Sequence, residues 1–489
     1  MLVLLLVILP IVFAVLTALV SDRNARQIAL LGAVAEWILS IVAIYQFNAS
    51  PSSALFTYHT NWVSIIGADF YIKMDGINLL MVFLTTTVMP FIVYSAFNRT
   101  IRNAGMYFAL MLAMQSALLG VFLAKDAMLF YVFWELALIP IYLIALIWGG
   151  QGRQRITFKF FIYTLAGSLF MLLAIIFLWL NNPARSFDMQ EFYLVGASLP
   201  ASKQLVVFIA FYLAFAIKIP IFPLHTWQPD TYVNAPTQGT MLLSGIMLKM
   251  GAYALIVWLI PMVPLGWKMA SKYVIILSVI SVVYGSMMAL TQQHFKRMLA
   301  YSSMGHVGLI AAGVFVWNLQ GVQGALYQMV SHGINVVALF FVCDAIFSRM
   351  QTDNMRQLGG IRNTDRVFSI LFLIIVLGSI ALPLTNGFVG EFLLMHGIFQ
   401  YNTIAAVFAG LTIILGALYM LRAYQQMMHG ETNQLTESFA PITTQEKIMF
   451  GGLVTLVLFF GIFPNTLLHF SEEPVKQLID QVHQVSNLK

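Results

Sequence analysis

Four ionisable residues stand inside apolar stretches long enough to cross a bilayer. Lys218 lies in AFAIKIPIFPLHTW and Lys249 in LLSGIMLKMGAYAL; Glu135 lies in LFYVFWELALIPIY and Glu391 in NGFVGEFLLMHG. A lysine at mid-membrane costs about 2.5–3.5 kcal/mol on insertion scales. Lys249 falls too deep in its stretch for its stem to carry the ammonium out to water. Desolvation penalises the charged form, so buried lysines and carboxyls exchange protons nearer ambient pH than they do in water. Such groups are what a proton relay requires. The structural alternative is a buried Glu–Lys pair that only holds two helices together. Four such residues on four different helices favour the relay. Glu36, centred in the second span, is a fifth carboxyl, and alone it says less.

Histidines add a second layer. His306 follows YSSMG and His332 sits in YQMVSHGINVVALFF, both between Lys249 and Glu391 in the chain. An unperturbed imidazole titrates near about pH 6.5, which suits a shuttle, although a lone histidine in an apolar helix also serves as a packing residue. Ser302, Ser303 and Ser331 are placed to orient water nearby. No His/Asp/Glu set has the spacing of a metal site, and no catalytic residue is expected in this chain. The single cysteine, Cys343, excludes a disulfide framework, a Cys-ligated iron–sulfur cluster and a thiolate zinc site.

These residues must be positioned by lipid-embedded helices. Of 489 residues 60% are hydrophobic and 9% charged, far fewer charges than a soluble domain carries. Apolar runs near 2–20, 28–46, 75–96, 106–124, 126–147, 157–180, 204–222, 236–259, 272–292, 299–316, 320–347, 367–395, 401–424 and 447–465 predict an all-α membrane fold of about fourteen spans. The first run has no basic residue before it and reads as a retained span rather than a signal peptide. After Phe463 the chain carries Val475, Leu478, Ile479, Val482 and Val485 at helical spacing, an amphipathic tail for the membrane surface or for a partner.

Two spans are interrupted. Pro220 and Pro223 follow Lys218, and Pro383 and Gly387 precede Glu391. Proline removes a backbone donor and clashes with the preceding turn. Within lipid, broken backbone is tolerated only against protein or a water-filled cavity. Paired breaks beside charged residues predict a transporter of two inverted five-helix repeats. The expected organisation is one polytopic domain, with N-terminal spans over 1–104, a first repeat over 105–260, a second over 261–425, and the last span and tail over 426–489. Fifteen basic residues fall in loops after odd-numbered spans and six in loops after even-numbered ones. The positive-inside rule then places both termini outside.

FYVFWELALIPIYLIALIWGG, KIPIFPLHTWQPDTYVNAPTQGTMLLSGIMLKMGAYAL, FKRMLAYSSMGHVG, YQMVSHG and NGFVGEF together resemble the antiporter-like membrane subunits of respiratory complex I, most of all the chain M type. The resemblance spans nearly the whole chain. It implies a proton-translocating subunit of NADH:quinone oxidoreductase in a bacterial inner membrane, partnered by neighbouring antiporter-like chains and lipid, with no nucleic acid. It implies that NADH, FMN, iron–sulfur clusters and quinone are bound by partner subunits and none by this chain, which carries no redox centre. By resemblance Glu135 and Lys218 form the pair of the first half-channel, Lys249 is the central lysine, His306 and His332 connect it onward, and Glu391 is the terminal carboxylate. Tyr232 and Asn234 stand where many members have histidine and an acid, so the resemblance does not support proton uptake at that loop. Asp344 stands where a small residue is usual, and nothing in the sequence accounts for it. The alternative is a subunit of a multi-subunit monovalent cation/proton antiporter, which shares the fold and most of the charged residues.

Overall fold

The structure is a computed structural model and describes residues 1–97 and 99–487. In chain order the helices are α1 (Leu2–Leu19), α2 (Asp22–Ala49), α3 (Asn78–Ser95), α4 (Ala104–Leu123), α5 (Ala127–Trp148), α6 (Arg153–Asn181), α7 (Met189–Ser198), α8 (Ala201–Lys218) and α9 (Gln228–Asn234). There follow α10 (Thr237–Met262), α11 (Pro264–Thr291), α12 (Phe295–Phe315), α13 (Leu319–Met350), α14 (Arg366–Ser379), α15 (Asn386–Tyr401), α16 (Thr403–Met428), α17 (Thr444–Ile462) and α18 (Asn465–Asn487). Among the described residues thirteen helices are long and apolar enough to cross a membrane. The interrupted stretch at 367–395 is divided between α14 and α15, each shorter than a full span. Helices dominate because lipid offers the backbone no hydrogen bonds, so each segment must satisfy its own.

Three features depart from expectation. The loop between α2 and α3 folds into an antiparallel hairpin, β1 (Thr57–Val63) and β2 (Ala68–Lys73), with Thr57 opposite Lys73. The seventh span stops at Lys218, four residues early, because Pro220 cannot donate to the next turn. Gly387, assigned to a break, lies in the first turn of α15. There its missing Cβ admits the Gly378 carbonyl, and the break itself runs through Ile380–Thr385.

The chain forms two compact units. The first holds residues 1–219, 246–273 and 469–489. In it α1, α2, α3 and α4 pack as a bundle, α4 packs on α5, and α6 on α8. One end is knitted by polar contacts. Lys125 Nζ lies 2.6 Å from Asp75 Oδ2, and the Asp69 N–H donates to Asp126 Oδ2 at 3.0 Å. Burial pushes the Asp75 carboxyl up, but the Lys125 ammonium and the Asn78 and Ile77 N–H groups outweigh it and hold the group below its ordinary value. The tail helix does not float. Val475, Ile479 and Val482 of α18 are buried, and Lys268 Nζ donates to the Ser486 carbonyl at 3.1 Å.

The second unit holds residues 220–245 and 274–468. Its centre is α13 against α12 and α15. Gly324 and Gly397 let the helices approach: a Cβ at Gly324 would stand 2.8 Å from Leu393 Cβ, and one at Gly397 would stand 2.6 Å from the Gly321 nitrogen. At the break, Ala381 (φ 58°) and Leu384 (φ 73°) adopt the left-handed region around Pro383, at about 1–3 kcal/mol each. Two side chains of α13 hold that strained turn. Ser331 Oγ donates to the Asn386 carbonyl at 3.0 Å, and Asn335 Nδ2 donates to the Gly378 carbonyl at 3.1 Å. They bind the backbone on opposite sides of the interruption, and the Gly378 carbonyl lies in the last turn of α14, where carbonyls lack helical partners.

Candidate proton-relay sites

In the first unit the structure brings Glu135 and Lys218 together. The Glu135 carboxyl is half-buried, with Lys218 and the Ser168 and Tyr131 hydroxyls in interaction reach. The Lys218 ammonium lies 5.3 Å from the centre of the Trp134 ring. Lys218 is the last residue of α8, where the helix carbonyls favour a cation. An indole face, a carboxylate and a helix C-terminus thus replace its lost hydration.

Lys249 is 1% exposed. It sits in a seven-residue α-helical stretch, Leu248–Ala254, between two π-helical turns, Leu243–Met247 and Leu255–Leu259. Such turns add a residue to the helix circumference, loosen the backbone ladder locally and often mark functional sites. Sequence reasoning missed them. Gly251, two residues on, brings this segment against the end of α8: a Cβ there would lie 2.6 Å from Ile219 Cγ1 and 3.0 Å from the Phe215 carbonyl. The lysine-bearing segments of α8 and α10 therefore pack backbone to backbone where a single methyl would part them.

In the second unit His306, His332 and Glu391 meet although they come from three helices. His306 Nδ1 lies 3.0 Å from Glu391 Oε1, with both side chains buried. The ring is not aimed along a hydrogen bond, so the contact is electrostatic, and a small rotation would align it for proton transfer. The His306 and His332 rings are 5.7 Å apart, centre to centre. Gln328 Nε2 donates to Glu391 Oε1 at 3.4 Å, a contact that Gly390 permits by having no side chain.

A polar cavity of about 10 Å³ is lined by Ser302, Ser303, His306, Gln328, His332 and Asn335, among others, room for about one water. Ser303 lines it with a buried hydroxyl that no protein group satisfies, as a water-orienting residue would. Ser302 is engaged by the Tyr419 hydroxyl at 2.8 Å, and Ser331 holds the break. Pro220 and Pro223 fall in the turn between α8 and α9, and Pro383 in that between α14 and α15. Sequence reasoning passed over His225. It is 5% exposed and packs on Phe222 and Tyr284 at 5.6 and 5.0 Å, and its position two residues after Pro223 was the available signal. Among the described residues no three His, Cys, Asp or Glu side chains gather as a metal site requires.

Residues 124–416 match the family described as NADH:quinone oxidoreductase/Mrp antiporter, TM. A curated relative, NADH-quinone oxidoreductase subunit M of Rickettsia typhi, is 37% identical over 93% of this chain and 92% of its own length. The chain belongs to this family. Within it the chain is an M-type, antiporter-like member. A chain of respiratory complex I from Thermus thermophilus superposes with a TM-score of 0.90 at 30% identity, covering 99% of this chain and 100% of that one. A chain of the Mrp complex from a Dietzia species superposes at 0.84 with 18% identity, covering 99% of each. That second likeness shows the common antiporter fold.

Proposed function

We propose that this chain is the proton-translocating M-type membrane subunit of a bacterial NADH:quinone oxidoreductase, and that protons pass by way of Glu135, Lys218, Lys249, His306, His332 and Glu391. The observation that carries the reading is the burial of Lys218 and Lys249, 2% and 1% exposed, on segments that pack together at Gly251. Keeping two ammonium groups dry is costly unless their charge is used.

The mechanism follows from coupling between charges. Protonating Glu135 removes the anion beside Lys218 and lowers the cost of passing the lysine's proton onward. A few Å apart at low dielectric, unit charges interact by a few kcal/mol, enough to move a proton equilibrium by orders of magnitude. In the second unit His306 can take a proton and pass it to Glu391 across 3.0 Å. Redox chemistry, with NADH, FMN, iron–sulfur clusters and quinone, would reside in partner subunits and drive these charge changes from outside.

The two interrupted spans would belong to inverted repeats over 105–260 and 261–425. The distribution of basic residues supports an inner-membrane orientation with both termini outside. The M-type relatives, similar over nearly the whole chain, favour this reading over a cation/proton antiporter subunit. Co-purification with flavin and iron–sulfur subunits would separate the two.

Lys249→Ala is the direct test. The assembled complex should lose NADH-driven proton translocation in membrane vesicles, and Lys249→Arg should also impair it, because arginine keeps its proton. Full translocation by Lys249→Ala would remove this residue from the relay.

A further inference from the structure

Apart from the relay residues, the second unit holds a cavity of about 220 Å³ where α11 ends, beside the start of α12 and the C-terminal part of α16. That is far beyond the roughly 10–15 Å³ that one water needs. Arg356 and Arg422 line it, with Thr291, Gln292, Gln293 and Gln426, and none of its lining residues is acidic. Among the described residues neither guanidinium has a hydrogen-bond or ion-pair partner.

The wall that carries Arg356 is built rather than loose. Arg356 belongs to the one-turn 3-10 helix Met355–Gln357, which is pinned on both sides. Before it, the Phe295 N–H donates to the Asp353 carbonyl and the Met355 N–H to the Gln293 carbonyl, each at 2.9 Å. After it, Asn433 Nδ2 donates to the Gln357 carbonyl at 2.9 Å, and the Gly360 N–H donates at 2.9 Å to the carbonyl of His429, just past α16. Asp353, the acid nearest to Arg356 in the chain, is occupied by His294 at 2.8 Å and by the Lys296 N–H at 3.1 Å.

Two guanidiniums on one cavity raise each other's cost, and no carboxylate in its lining offsets it. A phosphate group does, because its oxygens accept paired N–H donors from arginine. The Gln293 and Gln426 amides supply further donors. Arginines that only bias insertion need neither a cavity nor a pinned turn. Exposed apolar side chains continue from the site along the spans: Met287 lies one turn before Thr291 on α11, and Leu418 one turn before Arg422 on α16. They suit acyl chains running on from a headgroup, and basic pockets between membrane helices bind phospholipid headgroups in this way.

We propose that this cavity is a phosphate-group site, held by Arg356 and Arg422, that takes the headgroup of an anionic phospholipid or, by the same chemistry, free inorganic phosphate. The site lies apart from the relay residues and does not depend on the relay reading.

The test is the reactivity of a thiol placed in the cavity wall. Thr291→Cys serves, because the Thr291 hydroxyl already donates to the Met288 carbonyl at 2.8 Å and is not needed by a ligand. In a Cys343→Ser background, the assembled complex is put into phosphatidylcholine vesicles, with or without phosphatidylglycerol, and treated with N-ethylmaleimide. Phosphatidylglycerol should slow labelling of this chain about fivefold, as a bound ligand covers the thiol. Slowing by phosphatidylglycerol alone identifies the lipid headgroup; slowing by inorganic phosphate in phosphatidylcholine identifies the free anion. Either supports the site. Arg356→Gln with Arg422→Gln should abolish the slowing. If that double variant does not assemble, Arg356→Gln alone, in its exposed turn, should weaken it. Labelling that neither ligand slows, or that the arginine variants leave equally slowed, overturns the proposal. Lys249→Ala bears on the relay alone, so the two readings fail separately.

Discussion

The Lys218 ammonium meets two kinds of negative charge: the Trp134 ring face at 5.3 Å and the Glu135 carboxyl within interaction reach. The ring's field is permanent, whereas the carboxyl's exists only while it is ionised. Trp134 can therefore hold Lys218 in place when Glu135 is protonated, the half of the cycle in which the ion pair is absent. A buried cation–π contact contributes about 0.5–2 kcal/mol, so Trp134→Leu should slow proton translocation by roughly two- to thirtyfold in vesicles. Trp134→Phe, which keeps a weaker ring, should fall between. Equal rates in all three would remove the indole from the mechanism. Sequence identified Lys218 and Glu135, because charges inside apolar runs stand out. It could not identify Trp134, since nothing in spacing shows that a residue 84 positions later lies over that ring. The meeting of His306 with Glu391 was likewise illegible. Both were candidates, but only tertiary packing sets them 3.0 Å apart.

Among elements, the spans were legible because a bilayer demands long apolar runs, and the breaks because proline cannot continue a helix. The hairpin was not. Its β1 residues His59–Trp62 are exposed and its flanks half-buried, so no alternation of apolar and polar residues announces it. The π-helical turns beside Lys249 leave no mark in a uniformly apolar stretch. The hairpin anchors the start of α5 through Asp126, whose Oδ1 caps the helix by accepting the Leu129 N–H at 2.9 Å. Burial pushes the Asp126 carboxyl up to about 6, despite the hydrogen bonds from Asp69 and Leu129. Its ordinary value is 3.8, so between about pH 4 and 6 the folded state binds the extra proton. Stability from this group is full below that window and is lost as pH rises through it, by at most about 3 kcal/mol. Asp126→Asn keeps an equally good cap and should flatten that part of the curve. Thermal unfolding of the solubilised complex at a series of pH values would show this. An unchanged slope would mean that Asp126 does not titrate in the window.

At the scale of the whole chain, the one property that burial cannot reveal is which way it faces. A helix satisfies its backbone equally well in either direction, so direction is decided by loop charge during insertion. Fifteen basic residues against six is a strong bias, and the orientation proposed from it would put Arg99, Arg153 and Arg362 inside and α18 outside. The sole cysteine, Cys343, is buried, which makes the direction measurable. In a Cys343→Ser background, Asp480→Cys, on the exposed face of α18, should react with a membrane-impermeant maleimide added to intact cells. Arg362→Cys, exposed in the segment between α13 and α14, should react only in inverted vesicles. The reverse pattern would turn the chain over in the membrane.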